Sequence, residues 1–368
     1  MSGKVKKHEP PFHIAKRDSL PAYKSWGIRL AAIIIALIAA GLVTMLLTGE
    51  NPISVYGTML DGAFGSSRRV WKLLQNLAML LCVSLAVTPA FKMRFWNIGA
   101  EGQVLIGGLA TAGCMIMLGG KLPNAVLIIV MIAASMLAGA VWALIPAFFK
   151  AKFNTNETLF TLMMNYVGIQ LVSYFEMYWE NPKGSSNIGI INQATHDGWL
   201  PVIGNYDYLL NVIVVLALTV FMYIYLKYSK HGYELTVVGE SENTARYIGV
   251  NVKKVILRTM ALSGAICGIA GLLLVSGTNH TLSTTTAGGR GFTAIMVSWL
   301  AKFNPIVMVL TSLLLAFLNC GAGEISTVYG FNESFSDIIT GIILFFIIGS
   351  EFFINYQIKF HRSGKEVK

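Results

Sequence analysis

The stretch RFWNIGAEGQVLIGG, residues 94–108, places polar side chains where an apolar segment begins. Asn97, Glu101 and Gln103 lie between an aromatic pair and a run of small and aliphatic residues. A carboxylate inside a membrane costs roughly a few kcal/mol unless it faces water, a partner or the interior of a helix bundle. The glycines of the stretch allow close helix packing or a late helix start, so it predicts a break beside a polar interior.

The composition of the chain around this stretch is that of a membrane protein. Of its 368 residues, 55% are hydrophobic and only 12% are charged, whereas about a quarter of an ordinary soluble domain is charged. Several apolar runs reach the roughly twenty residues that a helix needs to cross a bilayer. The predicted fold class is therefore all-α, a polytopic membrane protein of about ten transmembrane helices.

The expected spans follow the apolar runs. They lie near residues 28–49, 70–91, 97–118, 124–149, 157–179, 207–226, 255–276, 289–302, 304–322 and 336–357. The eighth, 289–302, has only about twelve apolar residues, so it either crosses as a broken helix or re-enters. A crossing leaves most of the 28 basic residues on the cytosolic side, with both termini cytosolic, as the positive-inside rule favours.

The predicted organisation has three parts. A basic tail, residues 1–27, is expected to be cytosolic and to contact anionic lipid. A transmembrane domain, 28–358, follows, and a short cytosolic tail, 359–368, ends the chain. The chain has a net charge of +10, and its Lys and Arg residues collect in the tails and in alternate loops, as this topology predicts. No nucleic-acid partner is therefore expected. The longest polar interior loop, 227–254, contains the compact helical stretch SENTARYIG, which suits docking of a cytosolic partner better than an ordinary solvated loop.

Two polar features inside the spans have two interpretations each. In a helix, Asn97 and Glu101 would share a face while Gln103 points away, so this motif should reach two neighbouring helices. Glu101 either borders a pathway or accepts hydrogen bonds from backbone amides. Asn165, halfway along a polar stripe of the fifth span, is equally suited to lining a pathway and to bonding a neighbouring helix.

Motifs of hydrolytic and nucleotide-binding proteins are missing from the sequence. It has no phosphate-binding loop, HExxH pair or GxSxG elbow, so neither an enzyme nor a bound cofactor is expected. Four cysteines in apolar runs, without CxxC spacing, support neither a metal site nor a disulfide framework. If the chain moves a solute uphill, the energy must come from another subunit or from an ion gradient. The second possibility is an ion-coupled secondary transporter, which usually needs carboxylates inside the membrane. Glu101 is the only persuasive one in this sequence.

Five stretches, in order, resemble signatures of ABC-transporter permeases. They are FWNIGAEGQVLIGG (95–108), NETLFTLMMNYVG (156–168), VVGESENTARYIGVNVKKV (237–255), MALSGAICGIAGLL (260–273) and GRGFTAIMVSWLAKFNP (289–305). The class includes branched-chain amino acid and ribose permeases, and the likeness is strongest to nucleoside permeases served by basic-membrane-protein lipoproteins. The resemblance covers roughly residues 50–350.

The resemblance implies a subunit of an importer for nucleosides, or a related small polar, sugar-like solute, in a bacterial cell (inner or plasma) membrane. Its implied partners are a second homologous permease, a cytosolic ATPase that binds the ATP, and an extracytoplasmic substrate-binding lipoprotein. It also implies inverted repeats, with spans two to five mirrored by seven to ten and a discontinuous helix in each half.

The resemblance also assigns roles to residues. The substrate pathway would be bordered by Asn97, Glu101, Gln103 and Asn165. The segment 239–250 would be a coupling helix that fits a groove on the ATPase. The residues most exposed to that role would be Glu240, Asn243, Ala245, Arg246 and Tyr247.

Overall fold

The structure is a computed structural model that describes residues 12–17, 20–204, 206, 208–331 and 333–360. Within them the elements run in the following order: β1 Phe12–Lys16, α1 Ala22–Thr48, α2 Pro52–Phe64, α3 Ser67–Lys92, α4 Ala100–Leu118, α5 Asn124–Phe153, α6 Glu157–Tyr178, α7 Leu209–Tyr228, α8 Lys230–Glu240, α9 Glu242–Tyr247, α10 Val252–Leu274, a π-helical turn Val275–Asn279, α11 Arg290–Leu300, α12 Pro305–Tyr329, α13 Glu333–Asn355 and β2 Tyr356–Phe360.

Eight helices among the described residues are long and apolar enough to cross a membrane. They are α1, α3, α4, α5, α7, α10 with its π-helical turn, α12 and α13. Each coincides with one of the ten predicted spans, which confirms a helical, multi-pass membrane protein. Of the other two, α6 is 22 residues long but carries the polar stripe of the fifth span.

The eighth predicted span is the short helix α11. Its 11 residues reach about 16 Å, roughly half the thickness of a bilayer core. The Arg290 Nη2 donates to Asn76 Oδ1 at 3.4 Å, and eight residues later the Ser298 hydroxyl donates to the Ser84 carbonyl at 3.1 Å. α11 thus runs parallel to α3, and the preceding residues 281–289 are not helical. This is the broken helix that the sequence allowed.

Helix α10 lies at the centre of residues 66–317, which form one compact unit, and packs against α3, α4 and α5. Its glycines make these close contacts possible. A Cβ on Gly264 would overlap the backbone of Gly139, one on Gly268 the backbone of Ser135, and one on Gly271 the backbone of α4. This confirms the packing role expected of small residues at such spacing in membrane helices.

The second compact unit combines the described residues near both ends of the chain, those up to residue 65 and those from residue 318 onward. Its helix α1 packs along α13, and the Arg29 guanidinium pairs with the Glu351 carboxylate at 2.5 Å. Strand β1 pairs antiparallel with β2, which the sequence analysis did not anticipate. The predicted tail 1–27 thus includes a strand and the start of α1, while most of the predicted tail 359–368 lies outside the described residues.

Candidate functional site at two broken helices

The first break separates α3 from α4. Residues 93–99 between them are not helical, and a membrane bundle must still satisfy their backbone groups. Asn165 on α6 bonds to backbone groups at the end of this break and in the first turn of α4, with both the oxygen and the nitrogen of its side-chain amide. Its Oδ1 accepts from the Gly102 N–H at 2.8 Å, and its Nδ2 donates to the Ile98 carbonyl at 2.8 Å. The Thr161 hydroxyl accepts from the Ile98 N–H at 3.1 Å.

Asn97 and Gln103 form a second part of this network. The Asn97 Oδ1 accepts from the Gly99 N–H and from Gln103 Nε2, both at 3.1 Å. The Asn97 Nδ2 donates to the Ser263 hydroxyl of α10 at 3.3 Å. Asn97 precedes α4, so the expectation that it shares a helical face with Glu101 is wrong, because the helix begins only at Ala100.

Glu101, in the first turn of α4, reaches the start of α11. Its Oε1 accepts from the Gly289 N–H and its Oε2 from the Gly291 N–H, both at 2.7 Å. The N-terminus of a helix leaves unpaired N–H groups and carries a partial positive charge. The carboxylate therefore accepts from N–H groups at the start of α11 and lies at the positive end of that helix. It joins the two broken helices, α4 and α11, at one point. The motif does reach two neighbouring helices, α10 and α11.

The four residues predicted to border the pathway thus lie in one buried region. Asn97, Glu101, Gln103 and Asn165 are 0%, 7%, 1% and 2% exposed, respectively. The contacts of Glu101 and Asn165 are those of the second interpretation, in which each satisfies neighbouring backbone groups. Their part in solute passage stays a prediction.

The predicted coupling segment, 239–250, forms the end of α8 and the one-and-a-half-turn helix α9. Tyr247 is 93% exposed, and Arg246 pairs with Glu242 at 3.1 Å on the surface. Glu240 and Asn243 are also exposed. The expectation that Ala245 is exposed is wrong: it is fully buried, because it lies on the inner face of this short helix.

Two contacts attach α8 to the membrane bundle. The Arg258 guanidinium of α10 bonds to the Glu234 carboxylate at 2.8 Å, and this bond holds the pKa of Glu234 below its ordinary value. Gly239 meets the backbone of Lys92 and Met93 so closely that a Cβ there would overlap it. Met93 is the first residue of the break, so α8 packs directly against it.

The sequence analysis missed a further buried polar group near the other end of α3. Gln75 is 3% and Asn211 is 1% exposed. The Asn211 Nδ2 donates to Gln75 Oε1 at 3.4 Å and to the Thr278 hydroxyl at 3.2 Å. An amide inside an apolar run is itself a signal of function in a membrane helix, but two isolated amides, far apart in sequence, gave no sign that they meet.

Comparison with known proteins identifies the family. Residues 69–348 match the family described as branched-chain amino acid transport system / permease component, and the chain belongs to it. Such a chain is the permease component of an ABC transporter, a multi-pass membrane protein that works with an ATPase partner and is not itself an enzyme. An ion-coupled mechanism is therefore not favoured.

Three relatives span nearly the whole chain. A glucose ABC transporter permease of Haloferax volcanii is 29% identical over 95% of this chain and 94% of its own length. A guanosine ABC transporter permease of Bacillus subtilis is 31% identical over 90% of this chain and 94% of its own. A nucleoside ABC transporter permease of Lactococcus lactis is 26% identical over 83% of this chain and 86% of its own length.

Proposed function

We propose that this chain forms the route by which a nucleoside, or a related small polar, sugar-like solute, is imported by alternating access. The observation that carries the proposal is the junction at Glu101. There two helices begin inside the bundle, each N-terminus held by a side chain of another helix. Discontinuous helices meeting inside a bundle are the arrangement from which many transporters build a solute pathway.

The relatives support this choice of solute. Those reported transport guanosine, nucleosides or glucose by their names. These solutes are uncharged and rich in hydrogen-bonding groups, so their passage requires polar side chains inside an apolar bundle. Asn97, Glu101, Gln103 and Asn165 are the groups we assign to the pathway.

The coupling segment supplies the proposed link to ATP. The exposed Tyr247 and Arg246 would dock on the cytosolic ATPase, whose closure on binding ATP displaces α8 and α9. Through Gly239 this displacement acts on Met93 and the break. Opening the route then requires that the N-termini of α4 and α11 separate, which breaks the hydrogen bonds of Glu101.

The proposed assembly includes a second homologous permease and an extracytoplasmic substrate-binding lipoprotein, in a bacterial cell membrane. Both termini and the loop 227–254 would be cytosolic. This orientation agrees with the predominance of Lys and Arg in the tails and alternate loops.

The experiment is uptake into proteoliposomes containing this chain, its second permease and the ATPase, with the lipoprotein added outside. We expect labelled guanosine to accumulate when ATP is enclosed. Vesicles with a hydrolysis-deficient ATPase are the control, and glucose is measured in parallel. Uptake driven by an ion gradient, with no ATPase present, would exclude the proposed mechanism. Uptake of glucose without any nucleoside would exclude the nucleoside assignment.

A further inference from the structure

A cavity of about 770 Å³ lies beside the first turns of α3. The other end of this 26-residue helix meets α8 at Gly239. A helix of this length spans about 39 Å, so the cavity and the coupling segment lie at opposite ends of the bundle. With the coupling segment on the cytosolic side, the cavity opens on the side from which an importer receives its solute.

One wall of the cavity is aromatic. Trp71, Tyr206 and Tyr208 line it, and the ring centroids of Trp71 and Tyr206 are 4.4 Å apart with their planes 31° from parallel. Trp71 is half-buried and Tyr206 is 46% exposed. Such rings provide a flat apolar face on which a planar heterocycle can stack.

A second part of the lining is polar and is held in place from behind. Gln75 and Thr278 line the cavity, and the buried Asn211 bonds to both. Thr278 and Asn279 belong to the π-helical turn that ends α10. π-helical turns inside α-helices occur frequently at functional sites, and buried polar groups inside a membrane bundle often mark a ligand site or a pathway.

Arg290 connects the cavity to the junction of the broken helices. It lines the cavity and donates to Asn76 Oδ1 at 3.4 Å. Its chain neighbours, Gly289 and Gly291, are the residues that donate to the Glu101 carboxylate. A solute held beside Arg290 therefore lies next to the segment that forms the junction with Glu101.

We propose that this cavity is a chamber that binds a 6-oxopurine nucleoside before it passes the junction, an inference that rests on the proposed import of nucleosides. The base stacks on Trp71 and Tyr206. Its carbonyl edge faces Arg290, whose forked donors match the O6 and N7 acceptors of guanine. The ribose hydroxyls bond to the second amide N–H of Gln75, whose first N–H donates to the Thr278 hydroxyl. The cavity volume is within the roughly 300–1,000 Å³ typical of small-molecule sites.

This assignment distinguishes between the two kinds of solute in the proposed function. A hexose has neither a broad planar face nor the paired ring acceptors that a guanidinium recognises. Adenosine has the planar face, but it presents an amino group where the 6-oxopurines present a carbonyl oxygen. The chamber should therefore prefer guanosine and inosine to adenosine, and adenosine to glucose.

The test measures binding of labelled guanosine to the permease pair with its ATPase in nanodiscs, without ATP and without the lipoprotein. We expect inosine to compete about as well as guanosine, adenosine at least about tenfold more weakly, and glucose not at all. Trp71→Ala should weaken guanosine binding about tenfold or more, the effect expected from lost base stacking. Trp71→Phe should restore most of it.

Two further variants complete the test. Arg290→Lys keeps the charge but not the fork, so it should abolish the preference for guanosine over adenosine. Tyr178→Ala, which removes a 69% exposed ring that does not line the cavity, is the matched control and should leave binding unchanged. Thermal midpoints and ATPase binding confirm that each variant is folded.

Several outcomes would contradict the proposal that this cavity binds a nucleoside. Guanosine binding that is unchanged in both Trp71→Ala and Arg290→Lys would do so, as would glucose competing better than adenosine. Tighter binding of guanosine monophosphate than of guanosine would show that the cavity takes a phosphate and not a nucleoside. If proteoliposomes made from the same purified protein show ATP-driven guanosine uptake while the nanodiscs bind no guanosine, the chamber is wrong and the proposed function stands.

Discussion

At the scale of single residues, Glu101 carries a carboxylate into an apolar bundle at 7% exposure. Two backbone N–H donors at 2.7 Å and the positive end of α11 compensate for the water that it has lost. The same contacts leave α11 with a satisfied N-terminus inside the bundle. The charge thus stabilises the start of α11 inside the bundle.

Glu101→Gln tests this at the residue itself. The amide keeps one acceptor, but its NH2 group faces the second N–H donor, so one hydrogen bond is lost and two donors oppose each other. We expect a loss of about 1–3 kcal/mol of stability and slower uptake. The thermal midpoint of the purified permease and the uptake rate in proteoliposomes measure these effects.

The control for Glu101→Gln is Glu180→Gln, since Glu180 accepts a single hydrogen bond, from the Ser186 N–H, on the surface. An unchanged midpoint in Glu101→Gln would show that the cap of α11 does not depend on charge. A lowered midpoint with normal uptake would restrict Glu101 to a structural role.

At the scale of elements, α10 determines how closely the central helices approach. Its glycines lie against the backbones of α4 and α5, and no larger residue fits there without moving a helix. Since lipid tails are as apolar as leucine, helices in a membrane associate through such close packing and not through a hydrophobic driving force.

Gly268→Ala tests this packing. A Cβ at Gly268 would overlap the Ser135 carbonyl and approach the Met136 backbone nitrogen at 3.1 Å, so α5 must move away. We expect a loss of about 1–3 kcal/mol, measured as a lower thermal midpoint in detergent. Gly323→Ala is the matched control, because a Cβ on this helical glycine meets nothing within 4 Å. Equal midpoints in the two variants would contradict the packing role.

At the scale of the whole molecule, the coupling segment presents a large aromatic group at its surface. Tyr247, 93% exposed, is a large aromatic side chain on a short helix, as expected of an anchor for another protein. The bond between Arg258 and Glu234 connects α8 to α10, and Gly239 connects it to the end of α3 beside the break.

Tyr247→Ala or Arg246→Glu should therefore uncouple ATP hydrolysis from uptake and leave the permease folded. We expect uptake per ATP hydrolysed to fall at least about tenfold in the complete transporter, a loss typical of removing an interface anchor. Tyr233→Ala is the matched control, since Tyr233 is 64% exposed on α8 but lies outside the segment 239–250. Wild-type coupling in both variants would exclude docking at α9.

Much of the fold could be predicted from the chain because apolar length is a local property. Eight of the predicted spans required only a count of consecutive apolar residues, and the break at 94–108 required only polar groups placed among them. The short span at 289–302 was also recognisable as broken. The expected helical face shared by Asn97 and Glu101 was wrong, because the start of α4 depends on Asn165 and Thr161, residues of another helix.

The exposure of Ala245 and the cluster of Gln75 and Asn211 have the same explanation. The side of a short helix that is covered, and the partner of a lone amide, depend on residues far away in sequence. Thr278 is 203 positions from Gln75 along the chain. Periodicity reports the neighbours of a residue along one helix, but it contains no information on the neighbouring helices.

The sequence by itself determined that this is a multi-pass helical membrane protein with an interrupted interior, because hydrophobic length and the cost of buried charge act locally along the chain. Only the tertiary structure decided which groups compensate for that interruption: Glu101 at the start of α11, Asn165 at the start of α4, and Arg290 between the cavity and the junction. The physical reason is that a hydrogen bond inside a membrane depends on the position of both partners, and packing brings together partners that are distant in sequence.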